Sequence, residues 1–306
     1  MSEPIKHHYV PQIYLKRFSL NRNGDIFTLK TSTKYPVSTR LTNKSKICYE
    51  AKRYTFDNKE IIERYKITDP NVIEKSRFSY ENKELEELFD KIDYHKKFTK
   101  TQFERLVRII VDIKMRNPRF SENFKNFDPK SDKVQKEAKK ILEDAVEFCK
   151  RAGLSTDIVK KAEEAVYEKY RDEKYLQNVY RAGIYINENA REELIKKLIK
   201  WDALIMNTNY ENPFITSDNP GFNLNEKDQI FNTDFDSANS LVFPISPKSI
   251  LILKRSEKND LGIFKNVSYK KMKINSVLSV NKATLKNAND IIIGNSKEQL
   301  LITKKI

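Results

Sequence analysis

"NSLVFPISP" (residues 239–247) and "SILILKR" (249–255) are the stretches that decide the fold. Both are short, apolar or β-branched, and interrupted by Pro and Ser, which is the pattern of strands and tight connections. "KWDALIMNTN" (200–209) and "PFITSDNP" (213–220), just upstream, have the same texture. Downstream, "INSVLSVNKATLKNAND" (274–290) returns to helical spacing, and "IIIGN" (291–295) reads as one more buried strand.

The region before residue 200 differs. "TKTQFERLVRIIVDIKMRN" (99–117) is the most apolar helical pattern in the chain. Thr101 followed by Glu104 is the expected capping box, and Pro118 the stop. "NKELEELFDKI" (82–92) predicts an amphipathic helix with Leu85, Leu88, Phe89 and Ile92 inward. Two long charged helices are expected over 131–152 and 155–183, and another over 187–199 capped by Asn187 or Asn189. At the start, Pro11 opens a short helix carrying Ile13, Tyr14, Leu15 and Phe18. "DIFTLKT" (25–31) and "YPVSTRLT" (35–42) predict a hairpin or meander, with "AKRYTFD" (51–57) as a third strand. The expectation is an α+β fold: a small N-terminal β-hairpin region, a long helical middle, and a C-terminal mixed or antiparallel sheet. With no Pro/Gly/Ser-rich linker, residues 1–306 are read as one domain, and 125–195 as a helical insertion within it.

Composition narrows the function classes. Net charge is +15, from 58 basic and 43 acidic residues, a balance that favours polyanions but also serves solubility. Nucleic acid, RNA or DNA, is the expected partner, and a partner protein is the other; oligomeric state is left open. No run approaches ~18 consecutive apolar residues, so no membrane span is expected. "MSEPIKHHYV" lacks an apolar signal core, and Cys48 and Cys149 form no metal-ligand spacing, which fits a cytoplasmic protein with reduced thiols. Six unclustered glycines disfavour a phosphate-cradling loop. There is no HExxH pattern, no zinc-deaminase pattern and no GxSxG elbow.

Four stretches could carry chemistry. In "KHHYVPQ" (6–12), His7 and His8 are candidates for general base or metal ligand. Neighbours on an extended segment point to opposite sides, so each could equally be a structural anchor. His-Asn-His nucleases begin similarly, but the next histidine here, His95, is far too distant in sequence. In "FITSDNP" (214–220), Ser217, Asp218 and Asn219 follow a strand and could hold a metal or a hydroxyl; Ser-Asp-Asn-Pro is also good turn chemistry. In "KMRNPRF" (114–120), Arg116 and Arg119 both answer the helix dipole, and Arg116, if it turns inward, could pair a carboxylate or clamp a phosphate. In "KYRDEKYLQNVYRAGIYIN" (169–187), Lys169, Tyr170, Arg171, Lys174 and Arg181 combine cations with stacking surface, as single-strand binding requires; a core stripe with a solvated back would look the same.

"HHYVPQIYLKRFS" (7–19) resembles the opening of the bacterial family grouped as domain of unknown function 4238. Arg116 with Pro118, Trp201, "FITSDNP", "FPISP" (243–247) and Asn281 follow in the same order, with 125–195 least covered and Gly221 a departure. The resemblance implies that the His-Tyr opening and the Ser-Asp-Asn-Pro turn meet in space; it assigns no activity. The expected function is a nucleic-acid-directed enzyme, a nuclease or toxin-like effector in antiphage defence. His8 and Asp218 would hold a divalent metal, Mg or Mn, and Arg116 would steady the phosphate. The alternative is a non-catalytic module binding nucleic acid or protein through a basic helical surface.

Overall fold

The computed structural model describes residues 6–32, 38–77, 83–119, 143–144, 146–153, 155–161, 164, 172–183, 189–209, 211–227, 229–231, 238–255 and 267–305. The fold is α+β, built around three sheets. The largest has six strands in the order β11-β5-β10-β9-β7-β8. These are β5 (Asp202–Asn207), β7 (Phe222–Leu224), β8 (Ile230–Phe231), β9 (Ser240–Ser246), β10 (Ser249–Lys254) and β11 (Ser268–Lys271). β10 sits between β9 and β5, antiparallel to both, and β11 joins β5 in parallel, so the sheet is mixed. "SILILK" occupies this central place because its apolar residues leave few side chains that need water.

The second sheet unites the two ends of the chain. Its order is β3-β2-β12-β6. β2 (Asp25–Lys30) and β3 (Arg40–Asn43) form the expected N-terminal hairpin. β12 (Ile291–Gly294) pairs with β2 on one side and with β6 (Thr216–Ser217) on the other. The Ser-Asp-Asn-Pro turn therefore leaves the edge of a sheet that the N-terminal hairpin begins. A third, two-stranded ladder joins β1 (Lys6–His8) to β4 (Tyr49–Ala51). Only this short piece near the expected third strand is paired; residues 52–57 are turn and coil.

Helix α4 (Lys100–Arg116) is the core element, following α1 (Gln12–Lys16), α2 (Lys59–Arg64) and α3 (Lys83–Asp93). Its capping box uses Thr99 and Gln102, two residues before the Thr101/Glu104 pair that sequence favours. Either register fits a capping box; the one two residues earlier is the one formed. From Ile109 to Asn117 every residue is buried, so the last two turns are enclosed on all sides. That enclosure includes Asp112, Lys114 and Arg116. Asp112 is met by a bidentate pair from Arg191 at 2.6 and 2.7 Å. Arg191 lies on α6 (Asn189–Leu198), which comes after α5 (Glu173–Arg181). About half of the 125–195 segment, including 125–142 and 165–171, lies outside the described residues. At the C-terminal end, α7 (Ile274–Asn287) and α8 (Lys297–Lys305) flank β12. Among the described residues no helix is long and apolar enough to cross a membrane.

Candidate functional site

The opening motif is tied to the rest of the molecule by Tyr14. Its hydroxyl lies 2.7 Å from Thr216 Oγ1 and donates to the Pro244 carbonyl at 2.9 Å. A single buried phenol thus joins "HHYVPQIYLKRF", "FITSDNP" and "FPISP", the three stretches that the family resemblance picks out.

The two histidines point to opposite sides of β1, as alternation requires. His7 is fully buried and stacked on Tyr54, with its Nδ1 accepting the Tyr54 backbone N–H at 3.0 Å. His8 is partly buried beside Tyr49, with Gln12 Nε2 3.3 Å from its Nδ1. Burial lowers the His8 pKa, with Ser45's backbone opposing and the charges of Arg116, Lys44 and Lys6 assisting. Arg116 is also buried, its Nη2 donating to the His8 carbonyl and its guanidinium lying over the Tyr54 ring. Its charge partly offsets the rise that burial imposes on Glu74.

Ser217, Asp218 and Asn219 are at most 1% exposed. Ser217 Oγ accepts from Asn219 N and donates to Asn219 O, closing a Ser turn. The Asp218 carboxylate accepts three backbone N–H groups, from Asn289 at 2.9 Å, Asp290 at 2.7 Å and Ile291 at 3.2 Å. Burial pushes its pKa up to about 6, although those three bonds favour the charged form. Asn219 donates to the Asn287 carbonyl and accepts from Lys114 Nζ at 3.2 Å. Lys114 Nζ also donates to the Gly221 carbonyl at 2.7 Å; burial, then the charge of Arg119, brings the lysine down to about 7. Asn117 completes this scaffold. Its Nδ2 donates to the Asp218 carbonyl, and its Oδ1 accepts from Asn289 Nδ2 and from the Arg119 backbone.

In front of this network lies a polar cleft of about 340 Å³. Tyr9, Glu50, Pro118, Arg119, Asn289 and Asp290 line it. Four separated segments supply these residues, and three lie against residues already singled out in the sequence: Tyr9 follows His8, Pro118 and Arg119 come two and three residues after Arg116, and the Asn289–Asp290 pair is held by Asp218. Glu50 is paired with Arg53 at 2.7 Å. Burial, and then the neighbouring Cys48, push the Tyr9 hydroxyl up, and burial likewise raises the Cys48 thiol.

The structure thus groups Ser217, Asp218 and Asn219 in one buried network, and places His7, His8 and Arg116 in an adjoining one around Tyr54. Among the described residues no hydrogen bond or ion pair joins His8 to Asp218, and no three His, Cys, Asp or Glu side chains are grouped to hold a metal. Of the basic-aromatic stretch, Lys169, Tyr170 and Arg171 lie outside the described residues. Lys174 is exposed and paired with Asp57 at 3.4 Å. Arg181 donates to the carbonyls of Arg53 and Thr55, stapling the turn after β4. Sequence reading missed Lys114, Asn117, Tyr9, Glu50, Asn287 and Asp290. The polar run "NAND" (287–290) at a helix end was the available signal for the last two.

A family model described as "Protein of unknown function (DUF4238)" matches residues 6–298. No curated protein and no solved structure matches the chain.

Proposed function

The chain belongs to the family of proteins of unknown function DUF4238, and from its geometry we propose a nucleic-acid-directed enzyme, a nuclease with the polar cleft as its reaction centre. The observation that carries this reading is the convergence of Asp290, Glu50 and Arg119 on one polar cleft in a chain of net charge +15. Basic charge draws a polyanion, a guanidinium meets phosphate oxygens, and carboxylates serve a metal or a water. Mg²⁺ or Mn²⁺ suits such a donor set, because Mg²⁺ takes one or two carboxylates and fills its remaining positions with water and substrate oxygens. The metal would supply Lewis acidity and an activated water; Arg119 would orient the phosphate. His7, Arg116, Ser217, Asp218 and Asn219 hold the cleft in shape in this reading, and His8 ends the strand that leads into Tyr9. A toxin-like role in antiphage defence is the biological setting that fits nucleic-acid cleavage in a bacterial family.

The experiment is a panel of labelled RNA, single-stranded DNA and duplex DNA incubated with pure protein, with Mg²⁺, with Mn²⁺ or with chelator, and resolved on denaturing gels. Metal-dependent cleavage, lost in Asp290→Asn, is expected. Intact strands throughout, with saturable binding, favour the second reading, a non-catalytic binding module. That reading draws on the near-total burial of Ser217, Asp218 and Asn219, whose hydrogen bonds serve the fold.

A further inference from the structure

Arg119 and Asp290 differ from the other polar groups of the cleft in what remains available to a ligand. A guanidinium has five N–H donors. Among the described residues the Arg119 guanidinium makes one hydrogen bond, from Nη1 to the Asn287 carbonyl at 3.2 Å, and no ion pair. Its backbone N–H is held by Asn117 Oδ1 at 2.9 Å. The side chain is therefore tethered at both ends while most of its donors are uncommitted. Asp290 is exposed, and its carboxylate makes no hydrogen bond or ion pair among the described residues. Its backbone N–H is fixed by Asp218 at 2.7 Å. Glu50, by contrast, is engaged by Arg53.

We propose that this cleft receives a phosphorylated nucleotide terminus, Arg119 clasping the terminal phosphate and Asp290, while no metal occupies it, accepting from a sugar hydroxyl. The proposal rests on the reading of the cleft as the ligand site and narrows its substrate to nucleotides and strand ends. A monoester dianion offers a tethered guanidinium more charge and more free oxygens than a backbone diester does. A carboxylate beside it suits hydroxyl donors. A cleft of about 340 Å³ falls in the small-molecule range and admits one nucleotide. Holding the Arg119 guanidinium and the Asp290 backbone beforehand lowers the ordering cost of binding.

The test is competition in chelator, which keeps substrates intact. A labelled single strand is displaced by the same strand bearing a 5′-phosphate, a 3′-phosphate or no phosphate, by its circular form, and by a free nucleoside 5′-monophosphate. One phosphorylated end should compete about tenfold better than the dephosphorylated and circular forms, as one charge-assisted bond pair implies. The free monophosphate should compete where the 5′ end is preferred. Arg119→Gln should erase the preference, so that phosphorylated and dephosphorylated strands compete equally in the variant, and Arg119→Lys should restore part of it; thermal melting checks that each is folded. Equal competition by all forms, or a preference that survives Arg119→Gln, overturns the proposal. Cleavage of circular strands as fast as linear ones also overturns it while leaving the nuclease reading intact. End preference without any cleavage supports it and sinks the nuclease reading.

Discussion

Asp218 Oδ2 accepts the backbone N–H of Asp290 at 2.7 Å, so a carboxylate buried in the Ser-Asp-Asn-Pro turn fixes the carboxylate that lines the cleft. The two acids have opposite settings. Asp218 is 1% exposed and Asp290 faces solvent. One builds the loop, and the other is what the loop presents.

The Asp218 pKa, raised to about 6 by burial, carries a signed pH dependence. The folded state holds this proton more tightly than the unfolded chain, where an Asp titrates near ~4. The Asp218 contribution to stability is therefore largest below that value, declines as pH rises to about 6, and is flat above. Over that window the stability difference between wild type and Asp218→Asn should fall by about 3 kcal/mol. Urea titrations of both proteins at half-unit pH steps measure it.

Lys114 has the opposite sign. Its pKa, lowered to about 7, means the unfolded chain binds the proton more tightly, so its contribution rises with pH from about 7 towards ~10. In Lys114→Met that rise should vanish. At pH ~9, where the amine is neutral, the variant should cost about 1–3 kcal/mol, because Asn219 Oδ1 loses its buried donor. Melting curves at pH 7 and 9 separate the two effects.

Gly221 adopts φ +72°, and a Cβ there would sit 2.6 Å from Phe243 Cδ2 and 2.9 Å from the Val242 carbonyl. Gly221→Ala should destabilise by about 2 kcal/mol or more, from left-handed backbone cost plus the clash with β9. Denaturant midpoints measure this. The departure at this position that sequence comparison leaves unexplained has its reason in the turn.

Tyr14→Phe removes only a hydroxyl, yet that hydroxyl meets Thr216 and Pro244 in a fully buried setting. A loss of about 1–3 kcal/mol is expected. In a double-mutant cycle with Thr216→Val, the two changes should be markedly less than additive.

The architecture was legible where periodicity is clean. The 83–93 helix, the 25–30 strand, "SILILK" and "IIIG" each bury the residues their pattern selects. The α4 capping register was not, because Thr99/Gln102 and Thr101/Glu104 both fit the rule and only tertiary packing separates them. The roles of Asp112, Lys114 and Arg116 were hidden for a different reason. On a helix enclosed all round, spacing does not say which face a charge turns to. Arg116 was noticed, but its inward path beneath Tyr54 depends on β4 and the turn after it, far away in sequence. For the site, the approach of the opening stretch to "FITSDNP" was legible through the family resemblance, and it is made by Tyr14 and Thr216 rather than by His8 and Asp218. The cleft residues were not, since Tyr9, Glu50, Arg119 and Asp290 converge only once β12 inserts between β2 and β6.

The most direct test of the central claim is a side-by-side rate measurement on one labelled strand with Mg²⁺, using wild type, Asp290→Asn and His8→Ala at matched melting temperature. If the cleft is the reaction centre, Asp290→Asn loses about 100-fold or more, the scale of a missing general base or metal ligand, and His8→Ala keeps its rate. A wild-type rate in Asp290→Asn, with the loss in His8→Ala instead, would contradict the account and return the chemistry to the histidine pair that opens the chain.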